Sequence, residues 1–179
     1  MTANLILERT FDEPLTPADV LEGGRESAQC FDLHRVHWNG SFLALDGRTL
    51  ICTFSAPDME SARLALRDPG MDLSRLWSGS VYTGTSSTAP NVVVERSFEA
   101  PVRYEDIKAL GEAKAWCLET YNVRYAHTFF SLDRKRMLCF YKAPDTEAVR
   151  SVQREAGAPV SAIWAGAPVA PQKGTDLFF

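Results

Sequence analysis

CTFSAPDMESAR, residues 52–63, is written a second time as CFYKAPDTEAVR at residues 139–150. In both versions an apolar run stops at Ala-Pro-Asp and a helical pattern begins. Pro57 and Pro144 have no amide donor and bias the preceding alanine toward extended backbone, so each ends a strand. Asp58 and Asp145 then offer N-cap oxygens to helices expected over 59–68 and 146–156, which Gly70 and Gly157 close. The two stretches lie 87 residues apart (139 less 52), and this offset holds without a gap on both sides of them. It aligns Glu8-Arg9 with Glu95-Arg96, Cys30 with Cys117 and Trp77-x-Gly79 with Trp164-x-Gly166. Between 5–79 and 92–166, 23 of 75 positions are identical, which marks a duplicated unit.

Each copy reads outward from that stretch in the same order. Leu5 to Phe11 predicts a strand, and Thr16-Pro17 with Asp19 three residues on predicts a helix start. That helix runs to about Leu33, loosened by Gly23-Gly24; its counterpart spans Tyr104 to Thr120. VHWNGSFLAL (36–45) and VRYAHTFFSL (123–132) alternate as strands and lead into turns at Asp46-Gly47 and Asp133-Arg134. Strands follow over 49–54 and 137–141, and closing strands near 73–82 and 160–165. Strand, helix, strand, strand, helix, strand in about 75 residues gives an α+β, ferredoxin-like domain with both helices on one sheet face. The expected organisation is a first domain over 1–82, a linker over 83–90, a second domain over 91–166 and a tail over 167–179 whose Leu177, Phe178 and Phe179 are placed to dock. Each sheet keeps one bare face. If Trp38, Phe54, Phe129, Phe130 and Tyr141 lie on it, the domains pair through their sheets as an intramolecular dimeric α+β barrel-like assembly, with a cavity between them as the default seat of function.

Composition narrows the classes. With 19 Lys and Arg against 23 Asp and Glu, the formal charge of −4 offers no broad field to nucleic acid or an acidic membrane. No stretch approaches a membrane span, and the amino terminus lacks the pattern of a secretory signal. Cys30, Cys52, Cys117 and Cys139 form no CxxC pair, as expected of free thiols in a cytoplasmic protein. The expected state is a monomer with an internal pseudo-dimer, or a homodimer of it.

Three groups of residues carry candidate chemistry. Glu8 and Glu95 hold equivalent strand positions, and His127 alternates with Tyr125 and Phe129 so that the three should share a face. Between packed sheets these groups suit acid/base work, while a strand glutamate with a cross-strand salt bridge and a satisfied interfacial histidine are the structural alternatives. Trp38, Phe54, Tyr125, Phe129 and Tyr141 are the candidate ligand-lining side chains. Cys30-x3-His34-x2-His37 combines soft and borderline donors for nickel, zinc or copper, although the second copy replaces the histidines with Tyr121 and Arg124. Trp77, Trp164 and Tyr82 read either as core anchors or as walls for a flat organic ligand. No nucleophile elbow, dinucleotide loop, phosphate loop or HExxH is present.

The repeated ERTF/ERSF start, the central cysteine and the two APD stretches together resemble the nickel-responsive-protein-like family of small domains of unknown function, over approximately 4–79 and 91–166. The resemblance implies a ferredoxin-like domain that pairs through its sheet face, and nickel binding in some relatives. Two functional classes follow. The first is a module binding a metal or small molecule in a cavity between the copies. The second is a small-molecule enzyme for cyclisation, isomerisation or oxidative chemistry in the same cavity. The loss of symmetry at His34/Tyr121, His37/Arg124 and Gly40/His127 points to a single asymmetric pocket.

Overall fold

The computed structural model describes residues 2–67, 69–84 and 86–171. The first copy contains β1 (Ala3–Thr10), α1 (Pro17–Glu26), α2 (Ala28–Leu33), β2 (His37–Ala44), β3 (Thr49–Ala56), α3 (Met59–Arg67) and β4 (Leu76–Thr83). The second contains β5 (Val92–Ser97), α4 (Tyr104–Glu112), α5 (Ala115–Thr120), β6 (Arg124–Ser131), β7 (Arg136–Lys142), α6 (Thr146–Ala156) and β8 (Ala162–Val169). The fold is α+β, built of two ferredoxin-like β-α-β-β-α-β halves. Within the first, β1 runs antiparallel between β4 and β3, and β3 pairs with β2. Within the second, β5 lies between β8 and β7, and β7 pairs with β6.

The chain divides into two compact units at Gly79/Ser80 and Gly166/Ala167, the residues from Ala167 onward grouping with the first. Both closing strands outlast their expected ends. β4 reaches Thr83, inside the expected linker, and β8 continues through Pro168 to Val169, inside the expected tail. Val169 is buried in the core of the first unit, and Tyr82 packs on that of the second, so apolar burial carries each strand beyond the Trp-x-Gly motif. The expected docking of Leu177, Phe178 and Phe179 lies outside the described residues.

Local chemistry accounts for the element ends. The Thr16 hydroxyl accepts from the Asp19 amide at 3.3 Å while the Asp19 carboxylate accepts from the Thr16 amide at 2.7 Å, a complete capping box. Asp58 and Asp145 accept from the amides of Ser61 and Ala148 at 2.7 and 2.8 Å. Gly157 closes α6 in the left-handed region at φ 64°. The first helix of each copy is broken, and not at the glycines: the interruption falls at Ser27 in one and at Ala113-Lys114 in the other. Ser27 and Lys114 are themselves 87 apart, so the break belongs to the repeated fold.

In each unit the helices cover one sheet face. Leu5, Leu7, Cys52 and Phe54 pack with Val20, Phe31, Ala62 and Leu66 in the first unit. Val92, Val94, Cys139 and Tyr141 pack with Cys117, Val149 and Val152 in the second. Strict alternation fails once in each copy, at a β-bulge between Trp38 and Gly40 and between Tyr125 and His127. The bulge turns Tyr125 to the helix side together with Thr128, whereas His127 and Phe129 take the opposite face with Phe140. Trp38, Phe54, Phe130 and Tyr141 also belong to the helix side, so the sequence expectation of one shared bare face for these aromatic residues is corrected.

Candidate functional site

Each unit has a half-open cavity between its helices and its sheet, and the two differ in size: about 230 Å³ in the second unit and about 80 Å³ in the first. The larger is assembled from ordinary strand alternation. On β5, Val92 and Val94 point to the helices, which places Arg96 next in line on the same side. On β7, Met137, Cys139 and Tyr141 do the same, and the bulged β6 adds Tyr125 and Thr128. Tyr104, Ile107 and Gly111 of α4 form the roof, and α6 contributes Val152 and Gln153. None of α4's residues is buried, whereas α1 buries Val20.

Arg96 dominates the electrostatics. It is 2% exposed, its terminal nitrogens donate to the Pro159 carbonyl and, at 2.7 Å, to Gln153 Oε1, and its buried Nε has no hydrogen-bond partner. Among the described residues no carboxylate forms an ion pair with it. Burial works against its charge, but the neighbouring Cys139 and Tyr141 outweigh that penalty and hold its pKa above the usual arginine value. Burial also raises the Tyr141 pKa, reinforced by Cys139 and opposed by Arg96 and Gln153, so the phenol stays protonated and is a donor at neutral pH. Burial raises the Tyr125 pKa as well; its hydroxyl lies 3.0 Å from both the Tyr82 carbonyl and Thr128 Oγ1. Tyr82 and Tyr104 stack at 3.6 Å. Lys108 and Lys114 line the same cavity, with Glu112 3.3 Å from Lys108.

The matched positions of the first unit make a useful contrast. Arg9 stands where Arg96 does but is half-buried and lies 4.7 Å over the Phe11 ring. Leu66, fully buried, replaces Gln153, and Phe54 replaces Tyr141. Trp38, at the Tyr125 position, donates its indole N–H to Ser41 Oγ at 3.0 Å. The second cavity is thus the polar version of a shared design. A charged residue on the core face of β5, opposite a glutamine on the core face of α6, was the sequence signal for it; without the strand register it was not assembled.

The other predicted residues lie elsewhere. Glu8, 5% exposed, accepts from Trp77 Nε1 at 2.7 Å and Arg75 at 3.1 Å. Glu95 repeats the arrangement with Trp164 Nε1 at 2.7 Å and Arg136 at 3.5 Å. The matched tryptophans therefore hold the matched glutamates across neighbouring strands. His127 is buried and stacks on Phe140 at 4.6 Å, with Phe129 edge-on at 5.2 Å, and burial lowers its pKa to about 4. The cavity thus takes in Tyr125 and Tyr141 from the predicted residues, while Phe129 stays on the opposite face; Trp38 and Phe54 line the smaller cavity.

The expectation of a nickel or zinc centre on Cys30, His34 and His37 is overturned. Among the described residues no group of three or more His, Cys, Asp or Glu side chains is placed to hold a metal ion. Cys30 sits within α2 and His34 caps its C-terminus; Arg35, at φ 55°, then turns the chain so that His37 opens β2 on an exposed position. The four cysteines are free. Among the described residues no helix is long and apolar enough to cross a membrane.

Residues 93–165 match a family model described as "Nickel responsive protein SCO4226-like", a span that contains the whole larger cavity. No curated protein matches the chain. Among solved structures, the chain is similar to an anthrone oxidase-like protein, with a TM-score of 0.55 at 14% identity over 95% of this chain and 92% of that one. It is also similar to a mutant chlorite dismutase from Candidatus Nitrospira defluvii in complex with cyanide, with a TM-score of 0.54 at 15% identity over 95% of this chain and 90% of that one. A second mutant of that dismutase gives 0.52 at 14% identity, over 95% and 91%. At these identities the likeness is one of fold.

Proposed function

We propose that the chain is a small-molecule enzyme, the second of the two classes drawn from its sequence, and that its reaction chamber is the larger cavity of the second unit. One observation carries the reading: Arg96 is buried beside a cavity without a carboxylate partner, and its Nε–H is unused. A buried cation left uncompensated costs several kcal/mol, and a guest oxygen bearing negative charge offsets that cost. Tyr141 adds a neutral O–H donor at the same wall. Together they stabilise negative charge as it builds on a substrate oxygen while the proton leaving the adjacent carbon passes to Glu112, the carboxylate on the same cavity wall, a form of electrostatic and base catalysis available to isomerisation and cyclisation through an enolate. The named activities of the similar folds, an oxidase-like protein and a dismutase, agree with small-molecule chemistry on this architecture and fix neither substrate nor reaction. In this reading Glu8 and Glu95 hold strands through their tryptophans, and His127 is a packing residue.

The test is exchange of protons next to a carbonyl, followed by NMR in D2O with a panel of small keto acids. Catalysed exchange with at least one compound, lost in Arg96→Gln and reduced in Tyr141→Phe while both variants stay folded, supports the proposal. Binding of a panel compound with no exchange in any case would return the protein to the class of non-catalytic binding modules.

A further inference from the structure

The two units answer each other's open questions at one pair of glycines. Gly24 and Gly111 occupy equivalent places in α1 and α4. At Gly24 a side chain is excluded, because its first carbon would run into Trp38, whose Cζ3 lies nearest and Cε3 at 2.8 Å. The six-membered ring of the indole occupies the space beside the bare helix there, and it lines the smaller cavity. At Gly111, an exposed residue on the cavity's open side, nothing lies within 4 Å of the same point. Gly111 also has none of the positive φ angles that favour glycine, and a glycine inside a helix is destabilising relative to alanine. Its missing side chain does nothing for the fold of the second unit. Tyr125, which stands where Trp38 does, turns away: its ring lies against Gly84, with Cε1 2.9 Å from where a side chain would start.

From this contrast, and resting on the reading of the cavity given above, we infer that the guest of the second unit is an aromatic anion, a flat ring bearing a carboxylate or phenolate oxygen, whose ring lies on Gly111 and whose oxygen meets Arg96. The Trp38 indole is the built-in counterpart of that ring. It shows how an aromatic plane sits on this bare helix and why only glycine permits it. The unpartnered Nε–H of Arg96 supplies the recognition that the indole of the first unit does not need. Tyr104 and Tyr125, both on the cavity wall, give the ring further aromatic edges.

The experiment is calorimetric titration of the full chain with 2-naphthoate, 2-naphthamide and cyclohexanecarboxylate, on the native protein and on Gly111→Val, Tyr125→Trp and Arg96→Gln. The native chain should bind 2-naphthoate at least tenfold tighter than either of the other two. Gly111→Val and Tyr125→Trp should each weaken it at least tenfold, the latter by refilling the cavity as Trp38 does. Gly111→Ala controls for folding: it should raise the melting temperature of the empty protein while weakening 2-naphthoate. Equal binding of cyclohexanecarboxylate, or an unchanged affinity in Gly111→Val, overturns the aromatic assignment while dependence on Arg96 keeps the chamber. If no probe binds and Arg96→Gln changes nothing, the chamber itself falls.

Discussion

Replacing Arg96 with methionine, alone and together with Gln153→Leu, separates what the buried cation does for function from what it costs the fold. Arg96→Met removes a charge that is 2% exposed and has no carboxylate partner, a change that is often neutral or stabilising when the replacement packs. It also leaves two acceptors behind. Gln153 Oε1, on a residue 4% exposed, loses its 2.7 Å donor, and the Pro159 carbonyl loses another. The buried Gln153 orphan costs about 1–3 kcal/mol, while the Pro159 carbonyl, on an exposed residue, is open to water, so the single variant should be close to the native protein or below it. Gln153→Leu then deletes one orphan and installs the residue that the first unit already uses at Leu66, fully buried in its apolar core. The double variant should exceed Arg96→Met by about 1–3 kcal/mol and equal or exceed the native chain, while losing turnover and 2-naphthoate binding. Urea unfolding followed by circular dichroism and tryptophan fluorescence gives the four corners of the cycle. If the two substitutions prove additive, or if Gln153→Leu in the native background is as beneficial as in Arg96→Met, the pairing of these side chains is not what holds the site, and the argument from an uncompensated cation is wrong.

Three further outcomes follow from the same geometry. His127 has a folded pKa of about 4 against an ordinary value of 6.5, so the unfolded chain binds the proton more readily and stability falls as pH drops from 6.5 through 4. Its share is about 3 kcal/mol at 1.36 kcal/mol per unit, read as the difference between native and His127→Phe chains in urea titrations; identical acid profiles would refute it. Cys52 and Cys139 are similarly buried, at 8% and 4%, but Cys139 lines the cavity of about 230 Å³ and Cys52 only the one of about 80 Å³. A small alkylthiosulfonate at pH 8 should therefore modify Cys139 at least about tenfold faster, with 2-naphthoate protecting it, as mass spectrometry of the labelled peptides would show. Trp77→Phe should cost about 1.5–3 kcal/mol, because it takes a donor from a carboxylate whose side chain is 4% exposed. Trp164→Phe should cost less, since the Glu95 side chain is 18% exposed and water can replace the indole; the reverse order of melting temperatures would contradict this.

The fold was legible because its signals are local and were written twice. Ala-Pro-Asp, the Thr16-Pro17 cap and the turns at Asp46 and Asp133 act within a few residues, and the 87-residue offset turned each uncertain reading into a pair. The site was legible only in part, since it depends on register. Alternation through VRYAHTFF put Tyr125 beside His127, but a one-residue bulge after Tyr125 moved them to opposite faces. A bulge of this kind leaves no compositional trace at Tyr125-Ala126-His127. Arg96 is hidden in the sequence for the same reason: which of Glu95 and Arg96 faces the helices is decided by the strand's neighbours. The metal trio failed because its members are spread over a helix, its C-terminus and an exposed strand start.

Four differences between the matched positions of the two copies meet at one place. Leu66 against Gln153, Phe54 against Tyr141, Trp38 against Tyr125 and a half-buried Arg9 against a buried Arg96 all concern one chamber, whereas the Asp58 and Asp145 caps, the hairpin turns and the Trp–Glu contacts are kept in both. Each of these changes in the second unit adds a polar group to a core position or removes aromatic volume from it, and each alone is destabilising by the ordinary rules of burial. A core drifting without function would accumulate such changes singly, each repaired by its neighbours. Here Gln153 answers Arg96, Tyr141 stands beside both, and the space given up by the missing indole opens onto all three. The destabilising choices make sense only as a set, and what completes the set is a ligand that carries the ring and the charge the second unit lacks.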